Sequence, residues 1–250
     1  MCTLVLLRRP HHDWPLVIAA NRDEMAGRPW SPPARHWPDR PEVVAGRDDL
    51  AGGSWLGVND YGVAAAVLNR VGTLGPAAGK RSRGELVLEA LDHADAAAAA
   101  AALATLDGRA YRPFNLLVAD NRDCFWLRAA GGTRVEMRPV ADGLHMLSAL
   151  DLDDFASRRI ATYHGRFRDA VPPDPAADDW GGWPALMADR GGDGPPDEET
   201  PAMTFSRPDG FGTVSSALIG LPAPGVANGR PAFLFAAGPP GNAPYRPAEG

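Results

Sequence analysis

The sequence predicts an α+β fold, because strand-like and helix-like stretches come in blocks rather than in strict alternation. Two apolar runs of strand length, residues 3–7 and 16–20, open the chain around a polar, proline-bearing connection. An alanine-rich helical stretch follows the next strands, and further strands and helices continue to residue 236. At 250 residues a single domain over 1–250 is expected, long enough to bury a large core.

Taken in order, residues 3–7 read as a buried strand, and Arg8-Arg9-Pro10-His11-His12-Asp13-Trp14-Pro15 as the loop of a hairpin returning through 16–20. Residues 27–41 are rich in Pro and Trp without a period and predict an irregular loop. A short strand is expected at 43–45, and strands at 54–58 and 63–68 joined by the turn Asn59-Asp60-Tyr61-Gly62. Ser82-Arg83-Gly84-Glu85 fits a capping box opening a helix through His93. Asp95 is placed to cap a second helix through Leu106. Later strands are expected at 114–119, 124–128, 134–138, 144–147, 213–221 and 232–236, with helices at 155–168 and 183–188. Residues 191–210 predict a mobile loop, and 238–250 a poorly ordered tail.

The net charge of −6 argues against nucleic acid or an anionic membrane surface as the main partner. Two cysteines, Cys2 and Cys124, make no disulfide framework, so a reducing cytoplasm is the expected compartment. The apolar run after Cys2 ends at Arg8-Arg9-Pro10, which is unlike a secretory signal. The alanine run 96–106 is too short to span a bilayer, so no integral membrane contact is expected. No nucleotide-binding glycine motif and no zinc-like spacing of His, Cys and carboxylates occurs, so no metal or nucleotide cofactor is inferred; His11-His12 reads as a solvated loop pair.

Chemistry concentrates at the start of the chain. Cys2 follows the initiator Met, and a small residue there favours removal of Met1. Cys2 would then carry a free α-amine, with an ordinary pKa of about 8, beside its thiol: a nucleophile with its own base. The second strand ends in Asn21-Arg22-Asp23-Glu24, which the hairpin would bring close to Cys2. Arg22 would favour the thiolate, and Asp23 would hold or orient the ammonium. Strand alternation puts Arg22 and Glu24 on one face and Asn21 and Asp23 on the other, so Arg22 and Asp23 both face Cys2 only if the strand bends or bulges. A salt-bridged strand end is the competing reading of these four residues.

Cys2, Ala19-Ala20-Asn21-Arg22-Asp23-Glu24 and Arg28-Pro29 resemble the opening of the NRDE family, also called transport and Golgi organisation protein 2-like. Further matches in order are Ala45-Gly46-Arg47-Asp48, Ala51-Gly52-Gly53-Ser54-Trp55-Leu56-Gly57, Leu68-Asn69-Arg70, Ser82-Arg83-Gly84-Glu85-Leu86-Val87, Phe114-Asn115-Leu116-Leu117 and Gly212-Thr213. The family resembles the N-terminal-nucleophile (Ntn) hydrolases of the choloylglycine and penicillin V acylase branch. That resemblance implies a four-layer αββα sandwich of two stacked antiparallel sheets. It implies that Asn69, at a strand end, contributes to an oxyanion hole, against the competing reading of a turn cap. Gly53 and Trp55 are candidate pocket walls, or else a turn and a core residue, and Asn21 and Ser148 complete the candidate substrate-binding set. Arg47-Asp48 reads as a structural ion pair.

Two departures stand out. Leu147-Ser148 is followed by Ala149 where many relatives carry Asn, and Gly212-Thr213 by Val214 where many carry Arg. Neither Ala149 nor Val214 supplies a polar group, so an acylase-like mechanism would run with fewer of them, or the substrate differs, or the site only binds. With the N-terminal cysteine, the resemblance implies an N-terminal-cysteine amidohydrolase acting on a small non-peptide amide without a cofactor, with Cys2, Arg22, Asp23 and Asn69 as the catalytic set. The alternative is a non-catalytic haem-binding or trafficking protein reusing the same pocket, with haem as ligand. Oligomeric state is open.

Overall fold

The computed structural model describes residues 2–191, 200–226 and 229–249. In chain order its strands and helices are β1 (Thr3–Arg8), β2 (Leu16–Met25), β3 (Trp30–Ala34), β4 (Val43–Asp48), β5 (Leu56–Asn59), β6 (Ala64–Asn69), α1 (Gly84–Leu91) and α2 (Ala96–Ala104). Then come β7 (Phe114–Ala119), β8 (Cys124–Ala129), β9 (Glu136–Pro139), β10 (Gly143–Leu147), α3 (Arg158–Asp169), α4 (Trp183–Met187), β11 (Phe211–Leu221), β12 (Ala232–Ala236) and β13 (Arg246–Pro247). They divide between two compact units, one of Met1–Arg28, Asp142–Asn228 and Ala232–Pro247, the other of Pro29–Ala141 with Gly229–Pro231 and Ala248–Gly250.

The first unit holds a sheet ordered β10-β1-β2-β11-β12-β13, antiparallel throughout. The loop between β1 and β2 closes as a hairpin, because the Arg9 amide donates to the Pro15 carbonyl (2.8 Å) and the Arg9 side chain to the Trp14 carbonyl (3.1 Å). This fixes the register from Arg8 opposite Leu16 to Thr3 opposite Asn21. Apolar residues at every second position, Val5, Val17, Ala19 and Leu218, pack with Ile160, Tyr163 and Phe167 of α3 and with Trp183 and Met187 of α4. Each large side chain buried there contributes about 2–3 kcal/mol. Spacing of 160, 163 and 167 puts those three on one helical face, and Ser157 caps the helix by accepting the Ile160 N–H.

The second unit is a seven-stranded meander, β3 through β9 in sequence order. Helices α1 and α2 cover it through Leu86, Leu91 and Leu103 against Val43, Leu116, Val118 and Leu127. Asp95 caps α2 as expected, accepting the Ala98 N–H at 2.8 Å.

Several expectations need correction. The Pro- and Trp-rich stretch contains β3, an edge strand paired with β4; the register breaks between Ser31 and Ala34, around Pro32 and Pro33, so no period is visible. The capping box before α1 does not form. Ser82 accepts the Gly84 N–H (3.2 Å) and Glu85 pairs with Arg81 (2.8 Å), while the helix ends at Leu91 rather than His93. Helix α3 starts three residues later than expected, after Asp153 in the left-handed region at φ 55°. The tail is partly structured: β13 pairs with β12, and the Tyr245 hydroxyl meets Ser216 Oγ at 2.7 Å. Of the expected mobile loop, residues 192–199 lie outside the described residues. Met203, Thr204 and Phe205, however, are buried, with Thr204 Oγ1 donating to the Met187 carbonyl at 2.9 Å. Arg47 pairs with Asp49 (2.7 Å), not with Asp48, whose carboxylate accepts the Leu50 and Ala51 amides.

Candidate active site

Cys2 sits one residue ahead of β1, partly buried and not in a disulfide. Its sulfur is bracketed by the main chain of one residue on β2. The Asp23 N–H donates to Sγ at 3.4 Å, and the thiol donates to the Asp23 carbonyl at 3.6 Å. The β1–β2 register produces this contact, since Thr3 already faces Asn21 and the chain ahead of it runs toward Arg22 and Asp23.

The side chains around the sulfur are sorted by the pleat. Thr3, Asn21 and Asp23 project toward α3 and α4, and alternation puts Cys2 and Arg22 on the opposite face. A bulge in β11 extends this sorting. Thr213 pairs with Asp23 and Ser215 with Arg22, so Val214 is the extra residue. Thr213 Oγ1 therefore donates to Asp23 Oδ1 at 2.7 Å on one face, and Ser215 lies beside Arg22 on the other. Ser215 is fully buried and its hydroxyl has no hydrogen-bond partner among the described residues. Val214, the departure noted in the sequence, is thus the bulged residue.

Asp23 carries the strongest contacts of the cluster. Its second oxygen, Oδ2, accepts from Arg159 Nη1 at 3.2 Å, and the same nitrogen donates to Thr3 Oγ1 at 2.5 Å. Arg159 lies in the first turn of α3 with its guanidinium carbon 5.6 Å from the Phe205 ring centre. Both charged groups are buried. Arg22 is also buried and lies 3.9 Å from Glu24, which in turn lies 3.7 Å from Arg28.

Electrostatics run against an activated resting thiolate. Burial pushes the Cys2 thiol up, and the Asp23 carboxylate adds to the rise. The positive charge of the chain's amino terminus, the Asp23 main-chain hydrogen bond and Arg22 pull it down, in that order, but by less. Arg22 acts in the expected direction without deciding the outcome.

The other candidates are placed as follows. Asn21 spends its amide on the carbonyls of Met187 (3.0 Å) and Met203 (2.8 Å), which ties β2 to the end of α4. Ser148, buried just after β10, has its hydroxyl 3.2 Å from that of Ser157, the cap of α3. Asn69, Gly53 and Trp55 belong to the second unit. Asn69 ends β6 opposite Phe114. Gly53 lies against the Gly84 backbone, where a Cβ would come within 2.5 Å of the Gly84 carbonyl carbon. Trp55 lies against Gly46 and meets Trp30 edge-on at 5.9 Å. Removal of Met1 concerns a residue outside those described. Among the described residues no group of His, Cys, Asp and Glu is placed to hold a metal ion, and no helix is long and apolar enough to cross a membrane.

Arg159 was missed in the sequence. Its only signal is position: it precedes Ile160 on the buried side of an otherwise charged helix, and an arginine there reads equally as a surface residue.

Comparison with known proteins bears on the family and the fold. The profile of the family described as Transport and Golgi organisation 2 matches residues 1–174. A Bos taurus Transport and Golgi organization protein 2 homolog is 34% identical over 146 residues, 53% of this chain and 50% of that protein. A Homo sapiens homolog is 36% identical over 110 residues, 42% of this chain and 38% of that protein. The chain thus matches half or less of these relatives' length. Among solved structures, a Caenorhabditis elegans N-acylethanolamine-hydrolyzing acid amidase ortholog superposes with TM-score 0.54 at 11% identity, covering 91% of this chain and 96% of that one. A mutant conjugated bile acid hydrolase from Clostridium perfringens gives 0.52 at 11% identity, covering 95% and 89%. Penicillin V acylase from Agrobacterium tumefaciens gives 0.50 at 14%, covering 95% and 83%. These likenesses show the fold, an α+β sandwich of the Ntn-hydrolase type.

Proposed function

As the chain belongs to the Transport and Golgi organisation 2 family, we propose that it is an N-terminal-nucleophile amidohydrolase that cleaves a small non-peptide amide in the cytoplasm, with Cys2 as nucleophile. The observation that carries this reading is the seat of the Cys2 sulfur between the N–H and carbonyl of Asp23, at the free end of β1. The solved proteins of like fold include an acid amidase, an acylase and a bile acid hydrolase.

The raised thiol favours a mechanism with a base. A buried thiol beside a carboxylate stays protonated near neutral pH, so attack requires a base. Once Met1 is removed, the α-amine of Cys2 is that base. It takes the thiol proton as Sγ attacks the amide carbonyl, then passes it to the departing amine. Water resolves the thioester, returning the free thiol and a carboxylic acid. Arg22, on the sulfur's face of the sheet, stabilises negative charge that develops there. Ser148, in the same unit as Cys2, is proposed to shape substrate binding.

The test is a panel of small amides with intact-mass detection on Met1-free protein. An acyl adduct on Cys2, turnover of at least one amide, and loss of both in Cys2→Ala are expected. Turnover that survives Cys2→Ala, or a protein that keeps Met1 and still turns over, refutes the mechanism.

A further inference from the structure

Arg159 spans two places that matter to Cys2. One guanidinium nitrogen, Nη1, holds the hydroxyl of Thr3, the residue bonded directly to Cys2, and the carboxylate of Asp23, the residue whose main chain brackets the sulfur. Among the described residues the paired register of β1 and β2 ends at Thr3 opposite Asn21, one residue short of Cys2. The arginine adds a cross-link between the two strand ends from a third element. It is itself held in place, with α3 capped by Ser157 and Phe205 beside the guanidinium.

Burying an arginine and an aspartate together costs desolvation that their attraction only partly offsets, so an apolar pair would serve stability as well. What an apolar pair would not supply is charge. The thiol is acted on by the positive charge of the chain's amino terminus and by Asp23 and Arg22 of β2. Among the described residues, β2 also brings Glu24, α3 brings Arg159, β1 and β11 bring the hydroxyls of Thr3, Thr213 and Ser215, and the segment before β11 carries Arg207, which pairs with Asp209 at 3.1 Å. Asp23 opposes ionisation of the thiol, and Arg159 is the cation hydrogen-bonded to it.

We propose that Arg159 is a positioning residue for the Cys2 nucleophile: it pins the start of β1 to Asp23 and balances the carboxylate next to the sulfur. This deepens the amidohydrolase reading, because it names a residue on which the reactivity of that same thiol depends.

The experiment is iodoacetamide labelling of Cys2 against pH, followed by mass spectrometry, for the full chain and for Arg159→Gln and Arg159→Lys. Glutamine keeps an N–H donor and loses the charge; lysine keeps the charge. We expect Arg159→Gln to raise the labelling midpoint by about one unit, which slows labelling at pH 7 about tenfold, and Arg159→Lys to recover most of the loss. A folded Arg159→Gln with the wild-type midpoint and rate overturns the proposal. So does an equal effect of the two substitutions, which marks a purely structural role. If Arg159→Gln does not fold, Thr3→Val removes the hydroxyl partner while keeping a β-branched residue. Slowed labelling then supports the proposal, and a wild-type rate overturns it. A wild-type Cys2 that resists labelling at every pH refutes the amidohydrolase reading itself, whereas a reactive Cys2 indifferent to Arg159 refutes only this inference.

Discussion

Asp23→Asn separates the two effects of the central carboxylate. Asparagine is nearly the same size and its Oδ1 can still accept from Thr213 or Arg159, now at 2.7 and 3.2 Å from the aspartate oxygens. What it removes is the negative charge that faces buried Arg159. Breaking a buried ion pair on one side costs about 3–5 kcal/mol, and the retained acceptor brings the expected loss to the lower end, about 3 kcal/mol. In a chain of 250 residues each kcal/mol moves Tm by about 2–4 °C, so a fall of about 6–12 °C is expected. The thiol moves the other way. Asp23 raises the Cys2 pKa, so its neutralisation lowers the labelling midpoint, by about one unit if one charge a few ångströms away is removed. The variant is therefore less stable and yet faster to alkylate at pH 7. Thermal unfolding and iodoacetamide rate against pH, measured on one preparation, read both. A lowered Tm with an unchanged or raised midpoint refutes the assignment of the thiol's rise to the carboxylate.

Two further outcomes are expected. A thiol whose pKa is raised in the fold adds stability that is fully present below its ordinary value of 9.0 and is lost as pH climbs through the raised folded value. Cys2→Ala should therefore flatten the decline in Tm above about pH 9, and an unchanged alkaline slope counts against burial of the sulfur. Gly53→Ala pushes a methyl to 2.5 Å from the Gly84 carbonyl carbon, and the expected cost is about 2 kcal/mol, seen in urea unfolding as a lower midpoint with an unchanged m-value. A wild-type midpoint would mean that the α1 start yields easily.

Much of the fold was legible because its strands obey simple rules. The hairpin from Thr3 to Met25 announces itself by two apolar runs and a Pro-bearing loop, and Asp95 caps α2 by the ordinary Ncap geometry. Strand β3 was not legible, since two prolines in an edge strand erase the period. At the site, Cys2 and Asp23 were nominated from their order in the chain, but the manner of their meeting was not. The sequence suggested a side-chain contact, and the register supplies a main-chain one. The bulge at Val214 and the reach of Arg159 across more than 130 positions depend on tertiary packing, which local patterns do not encode.

The bracket on the sulfur has a consequence for how such a protein can change. Every residue but proline presents the same peptide N–H and carbonyl, so the two main-chain contacts to the sulfur do not depend on which side chain stands at position 23, and a hydroxyl at position 2 would find the same two neighbours. The side chain at position 23 acts differently, on the charge beside the sulfur and, through Arg159, on how firmly the start of β1 is held. Substitutions on the sulfur's side of β2 leave that helix-facing anchor in place. The constraint falls instead on register. A slip of one residue between β1 and β2 would exchange the two faces and bring a neighbouring residue's peptide against the sulfur, so the hairpin connection of Arg9 to Pro15, at the far end of both strands, sets which peptide group the sulfur meets.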